Sequence, residues 1–256
     1  MKNNKSLGQH WLKNRAILDE IADLARVDDS SETVCVEIGP GLGTLTSSLL
    51  KRFVKVVAIE FDERLAQNLP KSFPGKNLEV VRADILKTDV AKLVPDSKKY
   101  VVVGNIPYYI TSPIIRQMLE LSPRPEKIVL LIQKEVAERV AAQPGDHSIL
   151  SLTTQNLARV ELGPVVRAEE FTPPPKVDSQ VIVLTPREVA LVPESVIELA
   201  KRGFSSPRQK LTPNLAGFRN RSKVDWQELM LAIVNVDARA EDLSLEDWKL
   251  LDEASL

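Results

Sequence analysis

Apolar residues along this chain fall into short β-branched runs separated by stretches of helical spacing. The runs predict strands over residues 34–38, 54–60, 78–82, 100–104, 127–133, 154–162 and 179–184. Between them the spacing predicts helices over 45–52, 63–71, 113–121 and 134–142. Strands alternating with helices make a mainly parallel sheet covered on both faces, an α/β fold. No helix signal separates the last two strands, which predicts an antiparallel hairpin at the end of the sheet. Ahead of the first strand, residues 14–26 read as an amphipathic helix with Ile17, Ile21, Leu24 and Ala25 on one face. After Pro186 the strand signals stop, and 192–204, 226–234 and 245–251 have helical spacing. The expected division is an α/β domain over 1–184 and a small helical domain over 185–256.

Composition narrows the function classes. The 256 residues are 43% hydrophobic and 27% charged, the balance of a soluble globular protein. No run of about 18 apolar residues exists, so no membrane span is expected. The start, MKNNKSLGQHWLKNR, has no apolar core of secretory type and reads as mature protein. The single cysteine, Cys35, lies inside an apolar run and reads as a buried hydrophobe. One cysteine and two distant histidines make no zinc site, and a cytoplasmic location is expected. Net charge is only −1. Its distribution matters more. Seven basic residues (Lys201, Arg202, Arg208, Lys210, Arg219, Arg221, Lys223) and no acidic ones lie between Ala200 and Lys223. Nine acidic and two basic residues follow from Val224 to the end. A cationic face that can hold nucleic acid is thereby hidden behind a neutral total; an ordinary solvated helical surface would look the same.

Candidate chemistry begins at VCVEIGPGLGTLT, a strand, glycine loop and helix. Gly39, Gly41 and Gly43 let the backbone turn tightly and approach a ligand. Glu60 ends the next strand, where a carboxylate can accept from both hydroxyls of a ribose. Asp84 follows the third strand and can accept from an adenine amino group. These features fit a dinucleotide or S-adenosylmethionine. The spacing G-x-G-x-G differs from the usual dinucleotide loop, and Glu37 just before it would repel a pyrophosphate while tolerating a cationic methionine end. Both details favour the methyl donor. A glycine-rich turn without a ligand is the bland alternative.

The acceptor motif is Asn105-Ile106-Pro107-Tyr108, at the end of the run YVVVG. The nitrogen of an adenine amino group is a poor nucleophile because its lone pair is delocalised into the ring. Two oriented acceptors, the Asn105 side-chain oxygen and the Pro107 carbonyl, can hold both amino hydrogens and free the lone pair. Pro107 stiffens the turn, and Tyr108 can stack on the base. Tyr109 reads as a packing residue under the loop. Phe171, ahead of three prolines, is the candidate for the second half of an aromatic sandwich, with a core position as the alternative. A base in a helical nucleic acid must be unstacked to enter such a pocket.

The series SLGQHWL, VEIGPGLGTLT, VVAIEFD, ADIL, GNIPYYI, QKEVAERV and FTPPPKVDSQVIVL resembles the KsgA-type small-subunit ribosomal RNA adenine dimethyltransferases over almost the whole length. The resemblance implies a Rossmann-like seven-stranded methyltransferase fold with a small all-helical C-terminal domain. It implies S-adenosylmethionine as donor and two adjacent adenines near the 3′ end of 16S rRNA, in an immature small subunit, as acceptors. A monomer is expected. It implies that the donor touches His10, Leu12, Gly39, Glu60, Asp84 and Asn105. His10 and Leu12 are placed there by the resemblance alone; in isolation His10 reads as a surface residue. The chain departs from the family pattern at Trp11, often Phe, and at His147-Ser148-Ile149, where Tyr-Gly is common. The basic run is also thinned around Arg208 and Lys210, where Arg219, Arg221 and Lys223 can compensate as RNA contacts. Two rivals share parts of this pattern: a resistance-type methyltransferase of large-subunit rRNA, for which a more basic chain is expected, and a ribosome-assembly factor without catalysis.

Overall fold

The computed structural model describes residues 10–28, 32–94 and 99–256. Residues 6–9 of the SLGQHWL motif lie outside these. The chain divides into two compact units, Met1–Ala137 with Arg159–Pro186, and Glu138–Ala158 with Arg187–Leu256.

In chain order, β1 (Trp11–Leu12), α1 (Arg15–Leu24), β2 (Val34–Ile38), α2 (Thr46–Leu49), β3 (Lys55–Glu60) and α3 (Glu63–Asn68) come first. Then follow β4 (Leu78–Arg82), β5 (Tyr100–Asn105), α4 (Thr111–Glu120), β6 (Lys127–Gln133), α5 (Lys134–Val140) and α6 (Ile149–Leu157). The first unit closes with β7 (Ala158–Val166), β8 (Phe171–Thr172) and β9 (Ser179–Pro186). The seven-stranded sheet has the order β4-β3-β2-β5-β6-β9-β7. Its first four pairings are parallel and β9 runs antiparallel to β6. Every residue of β2 is buried, as are the first five of β5, which is why both read as unbroken apolar runs. The last two strands do not simply extend the edge: β9 inserts between β6 and β7.

Local signals start the helices where the sequence places them. The Asn14 side chain accepts from the backbone N–H groups of Ala16 and Ile17 and opens α1. Asp62 does the same for α3. In α1 the inward face is carried by Leu18, Ile21 and Ala22, with Ile17 and Leu24 at its margin. Arg52 ties α1 to the segment after α2 through Asp23, at 2.7 Å on each nitrogen.

The expected strand over 154–162 is wrong in its first half. Residues Ile149–Leu157 are α6, and the strand is Ala158–Val166. Ser148 caps α6 reciprocally with Ser151. Thr153, directly before the expected strand, donates its hydroxyl back to the Ile149 carbonyl at 2.6 Å, a bond that a helix makes. The segment Glu138–Ala158 also belongs with the helical unit rather than the sheet. Leu152 packs in the same core as Val196, Leu211 and Trp248. Asn156 locks it there, bonding both the N–H and the carbonyl of Val192.

The second unit adds α7 (Glu194–Gly203), α8 (Leu211–Leu215), α9 (Lys223–Ile233) and α10 (Leu245–Ala254). Trp226 and Trp248 are its largest buried side chains. α8 carries Pro213 in its first turn, where the missing N–H costs no helical bond. Arg219 and Arg221, expected as RNA contacts, are spent inside this unit. The Arg219 guanidinium donates to the Asp252 carboxylate, the Asp252 carbonyl and the Ser255 hydroxyl. Arg221 donates to the Ser255 carbonyl. Two cations at the C-terminus of α10 satisfy its orphan carbonyls and complement its dipole.

One carboxyl sits inside the sheet. Glu37 on β2 is 1% exposed and accepts a 2.6 Å bond from the Thr46 hydroxyl. Burial, with the Glu60 charge nearby adding to it against the Thr46 bond, pushes its pKa up to about 8. The folded state therefore holds a proton there that the unfolded chain releases near pH 4.5. This contribution to stability is complete below about pH 4.5 and fades as pH rises through about 8. Glu37→Gln should narrow the difference in melting temperature between pH 5 and pH 8.5; an unchanged difference refutes the assignment. Arg219→Ala should cost about 1–3 kcal/mol in denaturant unfolding, because it leaves the buried Asp252 carboxylate with only the Ser195 hydroxyl as a side-chain donor.

Candidate active site

The strand order reverses between β2 and β5, and open α/β sheets bind ligands at such a switch point, beyond the carboxyl ends of the strands. A cavity lies there. It is lined by Ile38 at the end of β2 with 39–41 after it, Glu60 at the end of β3 with Phe61 after it, residues 83–86 after β4, and Asn105 at the end of β5 with 106–110 after it. His10, Trp11 and Leu12 close one side. Every lining residue belongs to the first unit.

The glycine loop fits a close ligand. Gly39 and Gly41 have φ of 66° and 56°, a region that side chains disfavour. A Cβ on Gly41 would meet the indole of Trp11 at 3.1 Å, so that ring lies against the loop. Opposite, Gly39 approaches the Asn105 carbonyl; a Cβ there would lie 3.8 Å from it.

Glu60 is nearly buried and its two oxygens accept from different backbone groups, Oε2 from the Gly41 N–H at 3.1 Å and Oε1 from the Asp62 N–H at 2.8 Å. Each oxygen keeps a lone pair, enough for two vicinal hydroxyls. Burial outweighs these bonds and raises the Glu60 pKa above the usual carboxylate value. Asp84 is half-buried and caps the turn at 85–87 with Oδ1 accepting from the Leu86 N–H, which leaves Oδ2 only a loose contact with Lys87 at 3.9 Å.

At the acceptor corner, Asn105 is half-buried and its Nδ2 donates to the His10 carbonyl at 3.1 Å. The Oδ1 atom has no partner among the described residues. The Pro107 carbonyl accepts from the Ile110 N–H at 3.2 Å and retains its second lone pair. Tyr108 is fixed at both ends. Its ring stacks on the His10 imidazole, centroids 6.2 Å apart and planes 17° apart, and its hydroxyl pairs with the Ser179 hydroxyl at 2.8 Å. Burial raises the phenol pKa, so it stays neutral.

Two aromatic expectations are reversed. Phe171 is 3% exposed, packs in the core with Leu12 and Val181, and does not line the cavity. Its backbone pairs with Leu12 in the β1–β8 ladder, which turns the ring inward. Tyr109, expected to pack under the loop, is 66% exposed and lines the cavity. Sequence reasoning did not single out Phe61, 61% exposed at the same mouth; its only signal was an aromatic directly after Glu60. Of the basic residues, Lys210 pairs with Asp237 at 2.6 Å in an exposed contact. Arg208 and Lys223 are exposed, with no ion pair among the described residues.

Comparison with known proteins agrees with this geometry. The family model described as ribosomal RNA adenine dimethylase matches residues 1–253. A protein of Dehalococcoides mccartyi named ribosomal RNA small subunit methyltransferase A is 38% identical, covering 98% of this chain and 88% of its own. The protein of that name from Rippkaea orientalis is 40% identical, with 95% and 94% covered. Among solved structures, a dimethyladenosine transferase from Plasmodium falciparum superposes with a TM-score of 0.79 at 29% identity, covering 94% of this chain and 96% of its own. The 23S rRNA methyltransferase ErmE superposes at 0.75 with 30% identity, covering 95% and 98%. A match of such length, joined to a methyltransferase sheet whose switch point carries the glycine loop and the Asn-Ile-Pro-Tyr corner, places this chain in the ribosomal RNA adenine dimethylase family.

Proposed function

We propose that this chain is an S-adenosylmethionine-dependent enzyme that dimethylates two adjacent adenines near the 3′ end of 16S rRNA. The substrate is the rRNA of an immature small subunit, met in the cytoplasm by a monomer. One observation carries the reading: the Asn105–Tyr108 corner and the Gly39–Glu60 loops open onto a single cavity. The names of the relatives at 38–41% identity favour the small subunit over the large-subunit target named for ErmE at 30%.

The donor site consists of Leu12, Gly39, Gly41, Glu60 and Asp84. Glu60 takes the ribose hydroxyls and Asp84 the adenine amine. The donor supplies an electrophilic methyl carbon and a neutral thioether leaving group. The chain supplies aim. Asn105 Oδ1 and the Pro107 carbonyl accept the amino hydrogens of the target base and draw them out of the ring plane, so the nitrogen becomes more tetrahedral and its lone pair points at the methyl carbon. Tyr108 stacks on the base, and Tyr109 and Phe61 form an apolar mouth for unstacked nucleotides. No general base is required, because the methylated nitrogen is strongly acidic and loses its proton to water. Positioning and oriented acceptors therefore provide most of the acceleration. Arg208, Lys210 and Lys223 offer cations to RNA phosphates.

Asn105→Ala should lower the methylation rate of immature small subunits by about 10²–10³-fold while subunit binding stays within a few-fold. Equal rates for variant and parent would defeat the role of Asn105. Primer extension across both rRNAs locates the product, and a stop in 23S rRNA would transfer the reading to the large subunit. Arg208→Ala with Lys223→Ala should reduce the slope of log affinity against log salt by about one to two, as expected for lost phosphate contacts.

A further inference from the structure

We propose that His10 is a positioning residue for the acceptor amine, setting the amide of Asn105 and the ring plane of Tyr108. The proposal rests on the acceptor role given above to that corner. Family resemblance assigns His10 to the donor; its contacts in this structure are with the acceptor corner and the loop behind it.

Three contacts converge on the residue. Its main-chain carbonyl accepts from Asn105 Nδ2 at 3.1 Å. Its imidazole faces the Tyr108 ring at 6.2 Å, nearly parallel. Its Nδ1 lies 2.7 Å from the Pro173 carbonyl. A carbonyl only accepts, so Nδ1 carries the hydrogen and donates.

The first contact decides which end of the Asn105 amide meets the substrate. An amide turned by 180° would bring Oδ1 against the His10 carbonyl, acceptor against acceptor. The carbonyl therefore selects the orientation in which Nδ2 is consumed and Oδ1 is left for an N–H donor. Without it the amide can present NH₂ to the NH₂ of the base, which is unproductive. The second contact removes the freedom of the Tyr108 ring about its own axis, because the hydroxyl is already held by Ser179. The third anchors the imidazole, and with it the carbonyl, to the loop after β8. The adjoining β1–β8 pairing, Trp11↔Thr172 and Leu12↔Phe171, starts at the next residue and does not include His10 itself, whose hold on this loop is the imidazole bond. Productive geometry at position 105 thus depends on a residue 95 positions earlier in the chain.

The test uses the full chain with immature small subunits and measures kcat, the KM for subunits, and donor Kd by calorimetry. His10→Ala should lower kcat about 10–100-fold, while donor Kd and subunit KM move less than about 3-fold. His10→Asn should recover part of kcat, since an asparagine amide nitrogen can take the place of Nδ1 against the Pro173 carbonyl while the ring that faces Tyr108 is lost. A parental kcat in His10→Ala overturns the proposal. So does a loss that appears in donor Kd with kcat unchanged, which would make His10 a donor contact. Should His10→Ala fail to fold, a His10→Asn variant with fully parental kcat, or one whose loss lies in donor Kd alone, overturns it equally. Asn105→Ala run in parallel separates the two claims. If Asn105→Ala is inactive and His10→Ala is fully active, only the role of His10 falls. If Asn105→Ala is fully active, the acceptor reading itself falls.

Discussion

The pairing of β2 with β5 is the constraint on which the site depends. The two strands run parallel in unbroken register, from Val34 opposite Tyr100 to Ile38 opposite Gly104. Because the ladder ends at the same level on both strands, the glycine loop and the asparagine corner emerge side by side. A slip of one residue would turn every side chain of one strand to the opposite face and bury the corner. Close packing of the buried residues on both faces of the two strands opposes that slip. Core packing and active-site geometry are here the same fact, seen from two ends of one strand pair.

The polar groups at this level are arranged so that few are wasted. Glu60 satisfies two loop N–H groups, which holds Gly41 and Asp62 in place. Asn105 surrenders its donor to the His10 carbonyl. Tyr108 gives its hydroxyl to Ser179. Glu60 and Asn105 each keep acceptor capacity that these bonds leave unused, and both residues line the cavity. Preorganisation of this kind lowers the entropy lost when a substrate docks, because the receiving atoms are already aimed.

Much of this was legible in the sequence because it is local. The strands β2, β3, β4, β5 and β6 announce themselves as β-branched runs. Gly39, Gly41, Glu60, Asp84 and Asn105 each follow a strand end, so a parallel sheet must gather them along one edge. What was illegible is what distant packing decides. Phe171 reads as a pocket candidate with the core as its alternative, and its pairing with Leu12 carries it into the core. Tyr109 was assigned to packing, and nothing in the short turn at 108–110 covers it. Thr154 to Leu157 look like the start of a strand, and the reciprocal Ser148–Ser151 cap places them in α6 instead. Arg219 and Arg221 looked like RNA contacts, and no sequence rule announces that the last turn of α10 consumes them. The segment before β7 joins the helical unit through Leu152 and Asn156, contacts that periodicity does not encode.

The indole of Trp11, resting on Gly41 at the cavity wall, is the one tryptophan of three in the first unit. The other two, Trp226 and Trp248, are wholly enclosed in the helical unit. The protein therefore carries two separate optical reporters. A ligand settling on the glycine loop should change the surroundings of Trp11, while the enclosed pair should change its surroundings only when the helices unfold.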